Sequence, residues 1–291
     1  MSLPLLGGLA LALASAGALN VGFFVQHEAA SALPSLSLRR PLVSLTLLFG
    51  SARWLAGFLA GIGGWAVYAA ALALAPLSLV QAASAGGIGL LALLVSRVAG
   101  LQLRPWERWG VAIAVLGLAL LGASLAGRGT HGTHGTWSAV AFWLAGSAPA
   151  AALAAGPVAR RLAGGAGLGL AAGILYAAGD VATKAAVAGG GRLAFVPVLL
   201  ACHGLAFVAL QLGFQRGGAL ATAGVATLFT NALPIAAGTT IFGEGFGAEA
   251  PLRGLAFACV LAGATLLARP GPEVAKPPRQ MSRLPRAIPF D

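Results

Sequence analysis

Nine apolar runs, each close to the ~20 residues that cross a bilayer core, take up most of this chain. They are 3–26, 54–75, 77–98, 107–127, 137–158, 165–188, 193–215, 218–242 and 252–269. Backbone in lipid must pair its own polar groups within the segment, so runs of this length fold as helices. The 291 residues are 58% hydrophobic and 9% charged, with mean hydropathy +0.89. A soluble protein carries roughly 25% charged residues, so the reading is an all-α integral membrane protein. Forty-three glycines and few aromatics suit a bundle whose backbones approach closely. The stretch Pro41 to Gly50, between Arg40 and Arg53, is apolar but short. It reads as an interfacial piece, with a tenth span as the alternative.

Charge placement orients the bundle. With nine spans and alternating loops, one side holds only Arg128, Lys184, Arg192 and Arg253 of the 18 Lys and Arg residues. The positive-inside rule then puts the N-terminus outside and the C-terminus in the cytoplasm of a multi-pass plasma-membrane protein. The +11 net charge is explained by those loops. No basic cluster interleaves with aromatics, so nucleic-acid binding is not expected. Ala14-Ser15-Ala16 has the small-x-small form of a signal-peptidase site, but no basic residue precedes the run. The first helix is therefore expected to stay uncleaved.

The halves of the chain are related. Ala16–Ala30 aligns without gaps on Ala172–Ala186, with small residues at five shared positions plus Leu19/Leu175 and Val25/Val181. A weaker echo pairs Ala112, Gly117, Leu120 and Leu121 with Ala258, Gly263, Leu266 and Leu267. Four helices per half, joined by one linking helix, make the second half inverted in the membrane. The expected division is 1–127 for the first repeat, 128–164 for an outer loop and linking helix, 165–269 for the second repeat, and 270–291 for a disordered basic cytoplasmic tail. His131 and His134 in the Gly/Thr-rich loop read as linker, and Cys202 and Cys259 as small core residues. No metal or cofactor site is expected.

Several stretches carry a family resemblance. Ala75 to Gln81, Leu103 to Gly110 and Val115 to Leu121 in the first half, with Gly224 to Thr227, Phe242-Gly243-Glu244 and Gly254 to Leu267 in the second, resemble the EamA-type repeat. That repeat defines the drug/metabolite transporter superfamily, and the likeness implies two inverted bundles and solute transport. Gly243-Glu244 matches the family's Gly-Glu pair, whereas the first half has Gly100-Leu101 there. Nine spans, and the Thr183-Lys184-Ala185 ending, are similar to the NIPA-like branch, whose members include magnesium transporters.

Ionisable groups inside a bilayer are functional candidates by default. Asp180 and Lys184 stand four apart on one helical face with Tyr176 one turn before, an arrangement that fits either an intrahelical ion pair or a substrate contact. Asn20 and His203 lie in other spans; Asn231 and Thr227 lie beside Pro234, which is expected to break its helix, and Gln81 and Ser84 hold the equivalent place in the first half. His27 and Glu28 read as end-of-helix residues, with a proton relay as the sharper alternative. The expected function is secondary transport of a small metabolite or similar solute, with proton coupling through Asp180, His203 or Glu28. The alternative is a divalent-cation transporter for Mg2+, though Lys184 would repel a dication. A scaffold or intramembrane enzyme fits less well, because no nucleophile and base stand together. The expected partners are the small-molecule substrate, a coupling ion and the bilayer; whether the chain forms a homodimer stays open.

Overall fold

The computed structural model describes residues 3–36, 39–74, 80, 83–84, 87–123, 135–186, 189–243 and 250–270. Gln81, His131, His134, Glu244 and the tail beyond Pro270 lie outside the described residues. Among those described there is no strand, and ten α-helices follow one another. They are α1 (Leu3–Ala32), α2 (Pro41–Phe49), α3 (Ala52–Leu74), α4 (Gly87–Arg97), α5 (Pro105–Ala123), α6 (Trp137–Leu153), α7 (Ala166–Ala186), α8 (Val196–Arg216), α9 (Val225–Thr240) and α10 (Ala250–Leu267). Five helical stretches are long and apolar enough to cross a membrane: Leu6–Ala32, Trp137–Arg161, Ala166–Ala186, Gly190–Arg216 and Leu220–Thr240. A sixth arises if α2 and the start of α3 count as one bent span.

Local sequence explains the departures from the expected bounds. α1 continues to Ala32 because Ala29, Ala30 and Ala32 favour helix and no breaker comes before Pro34. His27 and Glu28 are therefore inside the helix. α2 meets α3 at 90° and, at nine residues, is too short to cross alone. Pro234 does not break α9, which runs through it to Thr240. The irregular backbone is instead in wide π-turns at Ala154–Val158 and Leu220–Gly224. Thr136 caps α6, its hydroxyl accepting from Ala139 N at 3.2 Å.

Packing is set by glycine at two seams. A Cβ on Gly22 would stand 2.8 Å from Gly57 O, and one on Gly57 would stand 2.9 Å from Gly22 O. α1 and α3 thus touch backbone to backbone, with Ser15 Oγ donating to Gly64 O at 2.8 Å. The second seam joins α5 to α10. A Cβ on Gly117 would lie 2.8 Å from Val260 N and 2.9 Å from Ala256 O. One on Gly263 would lie 2.9 Å from both Ala114 N and Gly110 O. Advancing Gly117, Ala114 and Gly110 by one constant register gives Gly263, Val260 and Ala256, so each helix meets the same atoms of the other.

Within the rest of the bundle α1 packs on α3, α4 and α8, while α7 packs on α6, α8 and α9. At one end, Leu36 N donates to Gln215 Oε1 at 2.7 Å and Ala163 N to Ala268 O at 2.7 Å. The guanidinium groups of Arg104 and Arg269 flank the Trp106 ring there, at 5.3 and 5.6 Å. At the other end Arg192 lies 5.7 Å from the Trp137 ring, which packs on Phe195, and Lys184 Nζ lies 4.4 Å over Phe242. The first end, holding the loop arginines, is called the basic end below.

Candidate functional site

A cavity of about 650 Å3 lies between α1, α3, α7, α8 and α9. Of the residues singled out in the sequence, it gathers Asn20, Tyr176, Asp180, His203, Thr227 and Asn231, with Ser84. Asn20 and Tyr176 occupy equivalent positions of the Ala16–Ala30 and Ala172–Ala186 alignment, and both line the cavity. Lys184, His27 and Glu28 are not among the lining residues.

The titratable pair at the centre joins two helices. Asp180 Oδ1 of α7 lies 3.7 Å from His203 Nε2 of α8, both side chains partly buried. Of the two readings the spacing allowed, an ion pair with Lys184 or a site contact, the carboxylate stands in the cavity beside the imidazole across the seam, and Lys184, one turn on, places its ammonium over Phe242. His203 reaches Asp180 because Gly179 leaves room, the ring occupying the place a Cβ there would take. Tyr176 stands edge-on to His203, centroids 5.7 Å apart.

Hydrogen bonding fixes the imidazole. His203 Nδ1 is 2.9 Å from Leu199 O, and a carbonyl only accepts, so Nδ1 carries hydrogen. Nε2 is left facing the carboxylate. At 3.7 Å the two groups form an ion pair when the imidazole is protonated, so a carboxylate and a proton-accepting ring stand side by side in the cavity.

Nearby acceptors are unspent. Asn20 Nδ2 donates to Ala16 O at 2.8 Å, and Oδ1 has no partner among the described residues. Asn231 Nδ2 donates to Thr227 O at 2.7 Å, and Thr227 Oγ1 has none either. Both residues are buried, 3% and 8% exposed, and both line the cavity. Buried polar atoms are nearly always paired, so these two leave hydrogen-bonding capacity to spare at the cavity wall. Phe23, Trp65, Tyr68 and Phe207 make up much of the remaining wall.

His27 and Glu28 act elsewhere. His27 Nε2 donates to Gly217 O at 3.0 Å, its ring lies edge-on to Phe214, and Nδ1 is 3.5 Å from Glu28 Oε1. They fasten the end of α1 to the end of α8 at the basic end. Sequence reasoning passed over Gln26, which lines the cavity, and Trp54, which bonds beneath it. An amide in the middle of the first apolar run was the signal for Gln26; Trp54 carried none beyond its place near a helix start. Among the described residues no group of three or more His, Cys, Asp or Glu side chains stands ready for a metal. Comparison with family profiles, curated proteins and solved structures finds no match for the chain.

Proposed function

We propose that the protein is a multi-pass secondary transporter that moves a small organic solute through the Asp180 cavity by alternating access between two inverted repeats. The observation that carries this reading is the convergence of Asp180, His203, Asn20 and Thr227 on one cavity within an apolar bundle. Nine spans form the two bundles and the linking helix. The reciprocal Gly117–Gly263 seam and the Asn20–Tyr176 equivalence support the repeat, since a pseudo-twofold axis makes contacts reciprocal. The clustering of loop arginines at one end supports a cytoplasmic basic end in the plasma membrane. This architecture is that of the drug/metabolite transporter superfamily, and the resemblance of the EamA-like stretches supports membership.

The lining chemistry favours a solute that donates hydrogen bonds and carries an apolar body. A carboxylate, the unspent Asn20 carbonyl oxygen and the Thr227 hydroxyl suit an ammonium group, which has donors and no acceptor. Aromatic faces add cation–π attraction. The Asp180–His203 pair supplies a coupling device: a cation and a proton compete for the same carboxylate and imidazole. Mg2+ is served less well. It asks for oxygen ligands, typically one or two carboxylates, and the carboxylate here is already set against an imidazole.

Thermal melting of the detergent-purified protein against amines, amino acids, sugars, organic cations and Mg2+ tests the proposal. Ligands of the folded state raise the melting temperature by mass action. An amine or organic cation that stabilises wild type and not Asp180→Asn is the expected result. Stabilisation by Mg2+ alone would overturn the organic-solute reading.

A further inference from the structure

Beneath the cavity, toward the basic end, three buried side chains form one hydrogen-bonded chain. Trp54 Nε1 of α3 donates to Gln211 Oε1 of α8 at 2.9 Å. Gln211 Nε2 donates to Gln26 Oε1 of α1 at 2.6 Å, and Gln26 Nε2 to Gly57 O at 3.2 Å. Their exposures are 0%, 2% and 3% for Trp54, Gln211 and Gln26. Trp54 stacks on Phe58, and Phe207 closes edge-on against both. Gln26, Phe58 and Phe207 are themselves cavity wall, so this layer is its floor.

Two features set the layer apart from ordinary packing. It links α1 and α3, from the first half, to α8 of the second. Beneath it the same halves are tied again, by His27 to Gly217 O and by Gln215 Nε2 to Ala30 O at 3.1 Å and Pro34 O at 3.0 Å. If the halves are inverted repeats, α3 and α7 are the counterparts of α8 and α1. Among the described residues they make no packing comparable to that of α1 on α8. Among the described residues the halves are thus packed more closely between α1 and α8, at the basic end, than between α3 and α7. Such asymmetry between equivalent halves is what one state of an alternating-access cycle requires.

We propose that Gln26, Gln211 and Trp54 form the gate that shuts the cavity from the basic end, and that parting them exposes the Asp180 site to that side. This rests on the transporter reading and assigns its gate. The chemistry suits reversal. An amide pulled from its partner re-forms its bonds with entering water, so closed and open layers differ little in free energy. A switch needs that near-balance, with a minor state only a few kcal/mol away. Gln26 and Gln211 are positioning residues, acting through the shape of the bundle and not through contact with a reacting atom.

The test reads sidedness. Cys202 and Cys259 are replaced by Ala, Thr227→Cys places one thiol in the cavity, and a membrane-impermeant thiol reagent is applied to either face of oriented vesicles. With the gate intact, labelling from the basic face is slow. Gln211→Leu and Gln26→Leu are expected to label about tenfold faster from that face, the shift caused by losing about 1.4 kcal/mol of closure, and more slowly from the opposite face. Equal acceleration from both faces would show mere loosening and overturn the proposal, as would unchanged rates. Should Gln211→Leu fail to fold, Gln211→Met, closer in shape and uncharged, removes the same amide. The same gate variants, made in the protein that keeps Thr227, Cys202 and Cys259, are melted with the stabilising amine. A retained shift with unchanged labelling removes the gate and leaves the transporter. If no compound shifts the melting of any variant, the transporter reading fails, while the labelling still decides the gate.

Discussion

Adding one methyl group to the α5–α10 seam should destabilise the protein equally from either side. In Gly117→Ala the new Cβ would stand 2.8 Å from Val260 N and Cys259 Cβ, and in Gly263→Ala 2.8 Å from Ala114 Cβ and 2.9 Å from Gly110 O. Carbon contacts settle near 3.5–4.0 Å, so the helices must part by close to ~1 Å. Overpacking of this kind costs about 1–3 kcal/mol. Alanine returns ~1 kcal/mol of helix propensity over glycine, leaving a net loss of about 0–2 kcal/mol for each variant. Once the helices have parted for one methyl, the second finds room, so the double variant should fall short of additivity by about 0.5–1 kcal/mol. Gly146 in α6 is the control: a Cβ there meets nothing within 4 Å, so Gly146→Ala should gain roughly 0.5–1 kcal/mol. The assay is the temperature of half-loss of folded protein in detergent, which moves about 2–4 °C per kcal/mol. A loss confined to one of the two seam variants, or an additive double variant, would refute the reciprocal contact and the pseudo-twofold reasoning built on it.

Other outcomes follow from single contacts. His203→Ala should leave the fold intact yet remove stabilisation by a cationic solute, because the Asp180 carboxyl loses its proton partner; melting with and without solute checks this. Lys184→Met should keep that stabilisation, since Lys184 is outside the cavity lining. Gln215→Leu leaves Leu36 N and Pro34 O without Gln215, while Ala30 O still accepts from Leu33 N, and should lower stability by about 0.5–1.5 kcal/mol, read as a fall in melting temperature. Thr136→Ala removes the α6 cap and should cost about 1 kcal/mol in the same assay.

What the sequence made legible was what periodicity and composition encode. Apolar runs located the helices, and intramembrane polarity picked out Asp180, His203, Asn20, Thr227 and Asn231 before any contact was known. Spacing along one helix cannot say which helix lies alongside. That is why the spacing left Asp180 with either an ion pair to Lys184 or a substrate contact and could not name His203 on α8, which stands beside it. The same limit hid the Gln26–Gln211–Trp54 chain, whose members come from three helices. It also led Pro234 to be read as the break, whereas the wide turns fall at Ala154–Val158 and Leu220–Gly224. Such turns depend on how neighbouring helices crowd the backbone, which no residue states by itself.

Solute exchange in proteoliposomes tests the central claim most directly. The stabilising amine is loaded inside, labelled amine is added outside, and uptake is followed for wild type and Asp180→Asn. Trans-stimulated uptake by wild type, lost in Asp180→Asn, is the predicted result. Stabilisation without uptake, or equal uptake by both proteins, would contradict transport through the Asp180 cavity.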